Sequence, residues 1–288
     1  MKKRELKLAD RIIETRRPAF VMGIVNCTPD SFYPSSRGSQ ELAFKCIDEG
    51  ADILDLGGES TRPGADYVDE KEEIERIVPV IKEIRKRSTV PISIDTRKKN
   101  VMKAAYEEGA DILNDVSALE DDPELAEFVS EKKIPVILMH KRGISRDMQK
   151  DTDYDDIFLE VDSYLNDRIK VALDAGIERD KIIVDPGIGF GKDLQGNVEL
   201  IKRCGSLCGG KYPVLMALSR KTCIGQMTGR DVDDRLYGTL AANLFSLLYG
   251  AEIVRVHDVG PCVDTFNVMS ALGLESGILC ALHGKQEF

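Results

Sequence analysis

The chain has 288 residues, 42% of them hydrophobic and 31% charged, a globular composition that excludes a disordered or fibrous chain. Acidic residues outnumber basic ones by 50 to 40, a net charge of −10, so neither nucleic acid nor a membrane is the expected partner. Residues 1–17 are charged throughout, without the apolar core of a secretory signal, and the longest apolar runs fall far short of the roughly 20 residues that span a bilayer.

Short Val/Ile/Leu-rich runs without polar alternation fall at 20–25, 53–56, 91–94, 112–113, 136–139, 182–184, 214–218 and 253–256. Such runs suit strands buried on both faces, as in a parallel sheet. Between them lie helical patterns. After Asp69, residues Ile74, Ile77, Val78, Ile81 and Ile84 recur at threes and fours, the apolar stripe of one helix face. Asp69 with Glu72 resembles a capping box, and Pro79 inside the pattern is expected to kink or break the helix. Asp122-Pro123 is the expected N-cap and first residue of a later helix.

Three segments share one grammar: EGADILDLG at 49–57, EGADILNDV at 108–116 and YGAEIVRVH at 249–257. In each, a glycine ends a helix in the left-handed conformation and the chain enters a strand at once. Eight such units at roughly 36 residues each predict an α/β fold, a (β/α)8 TIM barrel. The short N-terminal extension is 1–18 and the single barrel domain 19–288; a doubly wound open sheet is the alternative.

The seven cysteines are scattered with no CxxC, and His140, His257 and His283 show no metal-ligand spacing. Buried free thiols in a reducing cytoplasm are expected, with Cys27 the one thiol beside a functional strand end.

Every expected strand is followed by polar groups: Asn26, then Gly57-Gly58-Glu59, Asp95, Asn114-Asp115, His140, Asp185, Ser219-Arg220-Lys221, and Arg255 with His257. In a barrel all eight positions ring the C-terminal mouth, where this fold places its chemistry. Arg62, Lys221, Arg255 and His257 suit a phosphate-bearing substrate, and the alternation Arg-Val-His lets Arg255 and His257 reach one anion. Asp95, Asn114 and Asp185 suit a flat heterocycle with several donors and acceptors. Asn26 offers a neutral oxygen to Mg²⁺, with diphosphate oxygens and water completing the shell. The loops 26–38 and 57–65 mix Gly and Pro with polar groups, as active-site lids do. GIGFGK at 187–192 lacks the spacing of a nucleotide-binding loop and is expected to shape the mouth, with Phe190 as an aromatic wall.

In order, the motifs MGIVNCTPDSF (22–32), GADILDLGGESTRPG (50–64), ISIDT (92–96), NDV (114–116), LMH (138–140), DPGIGFGK (185–192), SRK (219–221) and RVHD (255–258) resemble the dihydropteroate synthases. The resemblance implies a transferase of folate biosynthesis and a sulfonamide target. It would join 6-hydroxymethyl-7,8-dihydropterin diphosphate to p-aminobenzoate and release diphosphate and 7,8-dihydropteroate. It also implies a Mg²⁺ cofactor and a homodimer built on the late barrel helices. Residue by residue, it places the pterin on Asp95, Asn114, Met139, Asp185 and Lys221, and the diphosphate on Thr61, Arg62, Arg255 and His257. The p-aminobenzoate would be framed by Phe32, Pro63, Phe190, Lys221 and Thr222. Asp95, Lys221 and Asn26 are the expected catalytic residues, with Asn26 the metal ligand. This sequence departs from the family at Thr222, often Ser, at Cys27, often Val, at Lys141, often Met, and in the run after Phe32. Alternatives are a corrinoid methyltransferase on the same barrel, a Schiff-base aldolase using Lys221, and a pterin-binding protein without turnover.

Overall fold

The computed structural model describes residues 3–28, 36–60, 67–143, 151–274 and 277–278, apart from the side chains of 36 and 37. Two short strands, β1 (Arg4–Lys7) and β2 (Ile12–Thr15), form an antiparallel hairpin. Eight parallel strands follow: β3 (Phe20–Asn26), β4 (Ile53–Gly57), β5 (Ile92–Asp95), β6 (Ile112–Asp115), β7 (Val136–Met139), β8 (Ile182–Asp185), β9 (Leu215–Met216) and β10 (Ile253–Val256). Each pairs with its sequence neighbour, β10 pairs with β3, and a Val184–Val214 bridge joins β8 to β9. The sheet therefore closes, and the open-sheet alternative is set aside.

The connecting helices are α1 (Ser36–Asp48), α2 (Glu70–Arg85), α3 (Lys99–Glu107), α4 (Leu125–Glu131), α5 (Ile157–Asp174) and α6 (Leu194–Arg203), then α7 (Thr222–Thr228) and α8 (Leu236–Leu248) after β9, and α9 (Val259–Ala271) after β10. Gly50, Gly109 and Gly250 have φ of +90°, +102° and +104°, the left-handed helix ends that the repeated grammar requires. No described helix is long and apolar enough to cross a membrane.

Local chemistry departs from expectation at three places. The α2 helix runs unbroken through Pro79. The proline is exposed, so water can satisfy the carbonyl it leaves unpaired. Asp69 caps α2 by accepting from Lys71 N, but Glu72 pairs with Arg76 instead of closing a capping box. Asp122 accepts from the backbone N–H groups of Glu124 and Lys99, and α4 begins only at Leu125. That aspartate is drawn to the start of α3 as well as to its own turn.

Period 2 sorts every barrel strand into two faces. Val21, Leu54, Leu56, Ile92, Ile94, Leu113, Val136, Leu138 and Val254 point outward and pack with Ile77, Ile81 and Ile84 of α2 and their equivalents on other helices. Phe20, Met22, Ile53, Ile112, Ile137, Ile183, Leu215 and Ile253 point inward and form a second apolar cluster with Leu6 and Leu8 of the hairpin. The charged N-terminal segment thus carries a plug for the bottom of the barrel. Lys7–Asp180, Arg11–Asp111 and Arg4–Glu252 ion pairs fasten it around that end.

Candidate active site at the barrel mouth

Two residues beyond the inward apolar layer, the same face turns polar. Asp55 follows Ile53, Asn114 follows Ile112, Asp185 follows Ile183 and Arg255 follows Ile253, while Met139 follows Ile137. Asp95 ends β5 beside Gly57 and Asn114 in the strand register. Alternation alone therefore brings Asp95, Asn114, Met139, Asp185 and Arg255 onto one floor.

Arg255 organises that floor. Its Nε donates to Asp55 Oδ2 at 2.5 Å and its Nη2 to Asp95 Oδ2 at 2.8 Å. Asn114 Nδ2 donates to both Asp55 oxygens at 3.2 and 3.3 Å. Asp55 is not singled out by the sequence pattern, although it lies on the same inner face as Ile53. The fold buries it completely, which a carboxylate tolerates only because a guanidinium and an amide nitrogen both meet it. Arg255 and His257 were expected to face one anion together. Within the protein, Arg255 lies on the two floor carboxylates, and His257 Nδ1 meets Ser219 Oγ at 3.0 Å.

Electrostatics follow from burial. Burial pushes the Asp95 carboxyl up to about 7; the charge of Arg255 opposes this, and Asp55, Glu73 and Asp115 add to it. Asp185 is likewise raised by burial, against the pull of Lys221 and the Gly187 N–H. Lys221 is lowered to about 8 by burial, with Asp185 opposing. Its ammonium donates to the Ile188 carbonyl and sits 4.9 Å from the Phe190 ring centroid. Lys221 and Phe190 thus form one wall, with Thr222 exposed at the start of α7.

The preceding residue carries strain. Arg220 has φ +56°, a left-handed conformation unusual outside glycine. Its guanidinium pairs bidentately with Asp258 at 2.8 and 2.9 Å, its N–H donates to Thr239 Oγ1, and its carbonyl accepts from Arg235. Four contacts over-determine the turn that aims Lys221.

Asn26 ends β3 with its amide half-buried on the inner face. Among the described residues no cluster of three or more His, Cys, Asp or Glu could hold a metal. Thr61, Arg62, Pro63 and Phe32 lie outside the described residues, as do His283, Cys280 and the central parts of both loops.

Other strand-end polars are structural. Asp115 points away from the floor and accepts from Ser117 N, Ser117 Oγ and Leu119 N. His140 meets Lys192 Nζ through Nδ1 at 2.9 Å, and burial pushes its pKa down to about 2, keeping the ring neutral. The six described cysteines are buried and form no disulfide with one another. Burial pushes the Cys27 thiol up to about 12, so the thiolate a reactive cysteine needs does not form there. Around the rim, Lys141 pairs with Asp121, Asp121 with Arg97, and Glu59 with Arg97 and Lys98, linking the turns after β4, β5, β6 and β7.

The chain is similar to known proteins across its length. The family described as Pterin binding enzyme matches residues 22–257. The dihydropteroate synthase of Haemophilus influenzae is 41% identical over 256 residues, covering 87% of this chain and 93% of that one. Dihydropteroate synthase of Xanthomonas albilineans with 4-aminobenzoic acid superposes with a TM-score of 0.88 at 41% identity, covering 94% of this chain and 99% of that chain. The same organism's enzyme in complex with 7,8-dihydropteroate gives 0.83 at 38% identity, covering 93% and 98%. With the family profile spanning every barrel strand from β3 to β10, the chain belongs to the pterin-binding enzymes, among the dihydropteroate synthases.

Proposed function

We propose that this chain condenses 6-hydroxymethyl-7,8-dihydropterin diphosphate with p-aminobenzoate, releasing diphosphate and 7,8-dihydropteroate. The observation that carries this reading is the placement of Asp95, Asn114, Asp185, Lys221 and Arg255 around one mouth, acids and amide on the floor and cations beside them. Asp95, Asn114 and Asp185 match the donors and acceptors of the pterin edge, with Met139 against the ring. Asp55 anchors Arg255 through Nε, leaving Nη2 to turn from Asp95 toward the leaving diphosphate, joined by His257 and by Thr61 and Arg62. Phe190 and Lys221 frame the arylamine, with Thr222 and with Phe32 and Pro63.

The carbon–oxygen bond to the diphosphate breaks first, and the cations meet the charge that develops on the leaving group. The Asp95 carboxylate stabilises the pterin methylene cation. The arylamine nitrogen then attacks, and its proton is released as the secondary amine forms. Closure over the site excludes the water that would otherwise capture the cation. A Mg²⁺ ion fits the neutral oxygen of Asn26 and would polarise the diphosphate as a Lewis acid. Diphosphate release that requires both p-aminobenzoate and Mg²⁺ is the expected result of a coupled assay. Methyl transfer to a corrinoid, or borohydride trapping at Lys221, would replace this reading.

We further propose a homodimer and a cytoplasmic setting. Tyr237 and Phe245 on α8, with Val268 on α9 and Leu272 just beyond it, leave large apolar side chains exposed, which favours burial against a second copy. The buried thiols, none in a disulfide among the described residues, suit a reducing compartment. Sedimentation at micromolar concentration tests the dimer.

A further inference from the structure

The turn after β8 is wound around one buried lysine nitrogen. Lys192 Nζ lies 2.9 Å from the Gly187 carbonyl, 2.8 Å from the Phe190 carbonyl and 2.9 Å from His140 Nδ1. The amine donates to the two carbonyls, and its contact with the neutral His140 ring completes the set of three. The residue is buried, and burial pulls its pKa well below the ordinary lysine value, with the Asp185 charge opposing the fall and the Lys221 and Arg142 charges adding to it. Gly187, Gly189 and Gly191 all have positive φ, so their carbonyls turn in directions a run of ordinary residues would avoid. A single side-chain nitrogen thus gathers two carbonyls and an imidazole into one cage.

The cage touches the site through the backbone it gathers. Phe190, whose carbonyl it holds, carries the ring beside Lys221, and the Ile188 carbonyl between its two acceptors receives the Lys221 ammonium. His140, on the far side, is fixed at the end of β7 by its N–H to the Asp185 carbonyl and by an edge-on ring contact with Tyr164. The cage thus joins two strand ends to the aromatic wall. We propose that Lys192 is a positioning residue: its nitrogen gathers the Gly187 and Phe190 carbonyls and His140 Nδ1, and so holds Phe190 and the Lys221 acceptor in register for the arylamine. This rests on the reading of Phe190 and Lys221 as the arylamine wall.

The test compares Lys192→Met, His140→Leu and His140→Asn in the full chain. An Asn amide restores a hydrogen-bonding group near Nδ1, whereas Leu leaves one side of the Lys192 nitrogen unpaired. Gly189 N to Asn197 Oδ1 and Tyr154 Oη to the Gly191 carbonyl remain in all three and keep the turn folded. Lys192→Met and His140→Leu are expected to raise the p-aminobenzoate KM by about tenfold or more, the equivalent of one buried polar group left unpaired. In His140→Leu, which keeps Lys192 beside Asp185, affinity for the pterin substrate should stay within about threefold, and His140→Asn should return the arylamine KM close to wild type. An unchanged arylamine KM, equal losses for both substrates in His140→Leu, or equal impairment by Asn and Leu would overturn the proposal. If Lys192→Met fails to fold, the His140 pair decides it. Asp95→Asn is run in parallel: full turnover there would sink the site reading itself, and its loss leaves the Lys192 result to be judged alone.

Discussion

Asp55 and Arg255 meet at 2.5 Å in the centre of the barrel, joined across 200 residues of sequence, and Asp55 is fully buried beneath the guanidinium. This pair fixes where the second Arg255 edge points, and that edge is the one on Asp95. A buried carboxylate of this kind positions a cation rather than adding surface charge.

Asp55→Asn keeps the shape and the contact with Asn114 but removes the charge that holds Arg255. Turnover is expected to fall by about 10²-fold, the cost of misplacing a reacting group by about an ångström. Steady-state kinetics check this, with circular dichroism confirming the fold; wild-type turnover would show that Arg255 needs no second anchor.

The pH dependence follows from Asp95, raised to about 7, and Lys221, lowered to about 8. Activity requires the Asp95 carboxylate and the Lys221 ammonium, so kcat/KM should rise through about pH 7 and fall above about pH 8. Lys221→Met should remove the alkaline limb together with most activity, and Asp95→Asn should lower kcat by orders of magnitude while the fold survives.

Asp95 also bears on stability. Its folded value lies above its unfolded one, so the folded state holds a proton that the unfolded state has lost, and stability falls as pH rises between the two. Asp95→Asn removes that titration. The difference in Tm, variant minus wild type, should therefore grow in the variant's favour from pH 5 to pH 8; a constant difference would contradict a raised Asp95.

Gly187→Ala would place a β-carbon 1.8 Å from the His140 carbonyl oxygen at a φ of +67°. The strain is on the order of 3 kcal/mol, or about 6–12 °C in Tm for a chain of this size. Thermal unfolding measures it, and a drop under a few degrees would mean that the turn relaxes freely.

Leu6→Ala tests the plug at the opposite end. Removing this buried side chain should cost about 2–4 kcal/mol while both KM values stay unchanged, because the hairpin closes the bottom of the barrel and not its mouth. Denaturant unfolding alongside kinetics separates the two effects.

Much of this was legible in the residues. The apolar runs locate all eight barrel strands, because a strand buried on both faces must be apolar along its length except where it reaches the mouth. The glycine grammar places the helix ends, because only the left-handed conformation turns the chain directly into the next strand. Asp95, Asn114 and Asp185 stand out because they interrupt those runs or end them. Asp55 did not, since it lies one step inside its strand between two leucines, and only closure of the sheet turns that position onto the floor. The Leu6 and Leu8 plug was hidden for a related reason: two leucines among charged neighbours acquire an inward face only when a barrel exists to receive them.

Sequence by itself determined the fold class, the order of the units and the chemistry gathered at the mouth, since period and punctuation are local properties of the chain. Tertiary structure alone decided which group meets which: Arg255 on Asp55 and Asp95, Lys192 between two carbonyls and His140, and Arg220 held by Asp258 in a strained turn. Ion pairs and hydrogen bonds depend on distances across the barrel, and those distances exist only once all the strands have closed.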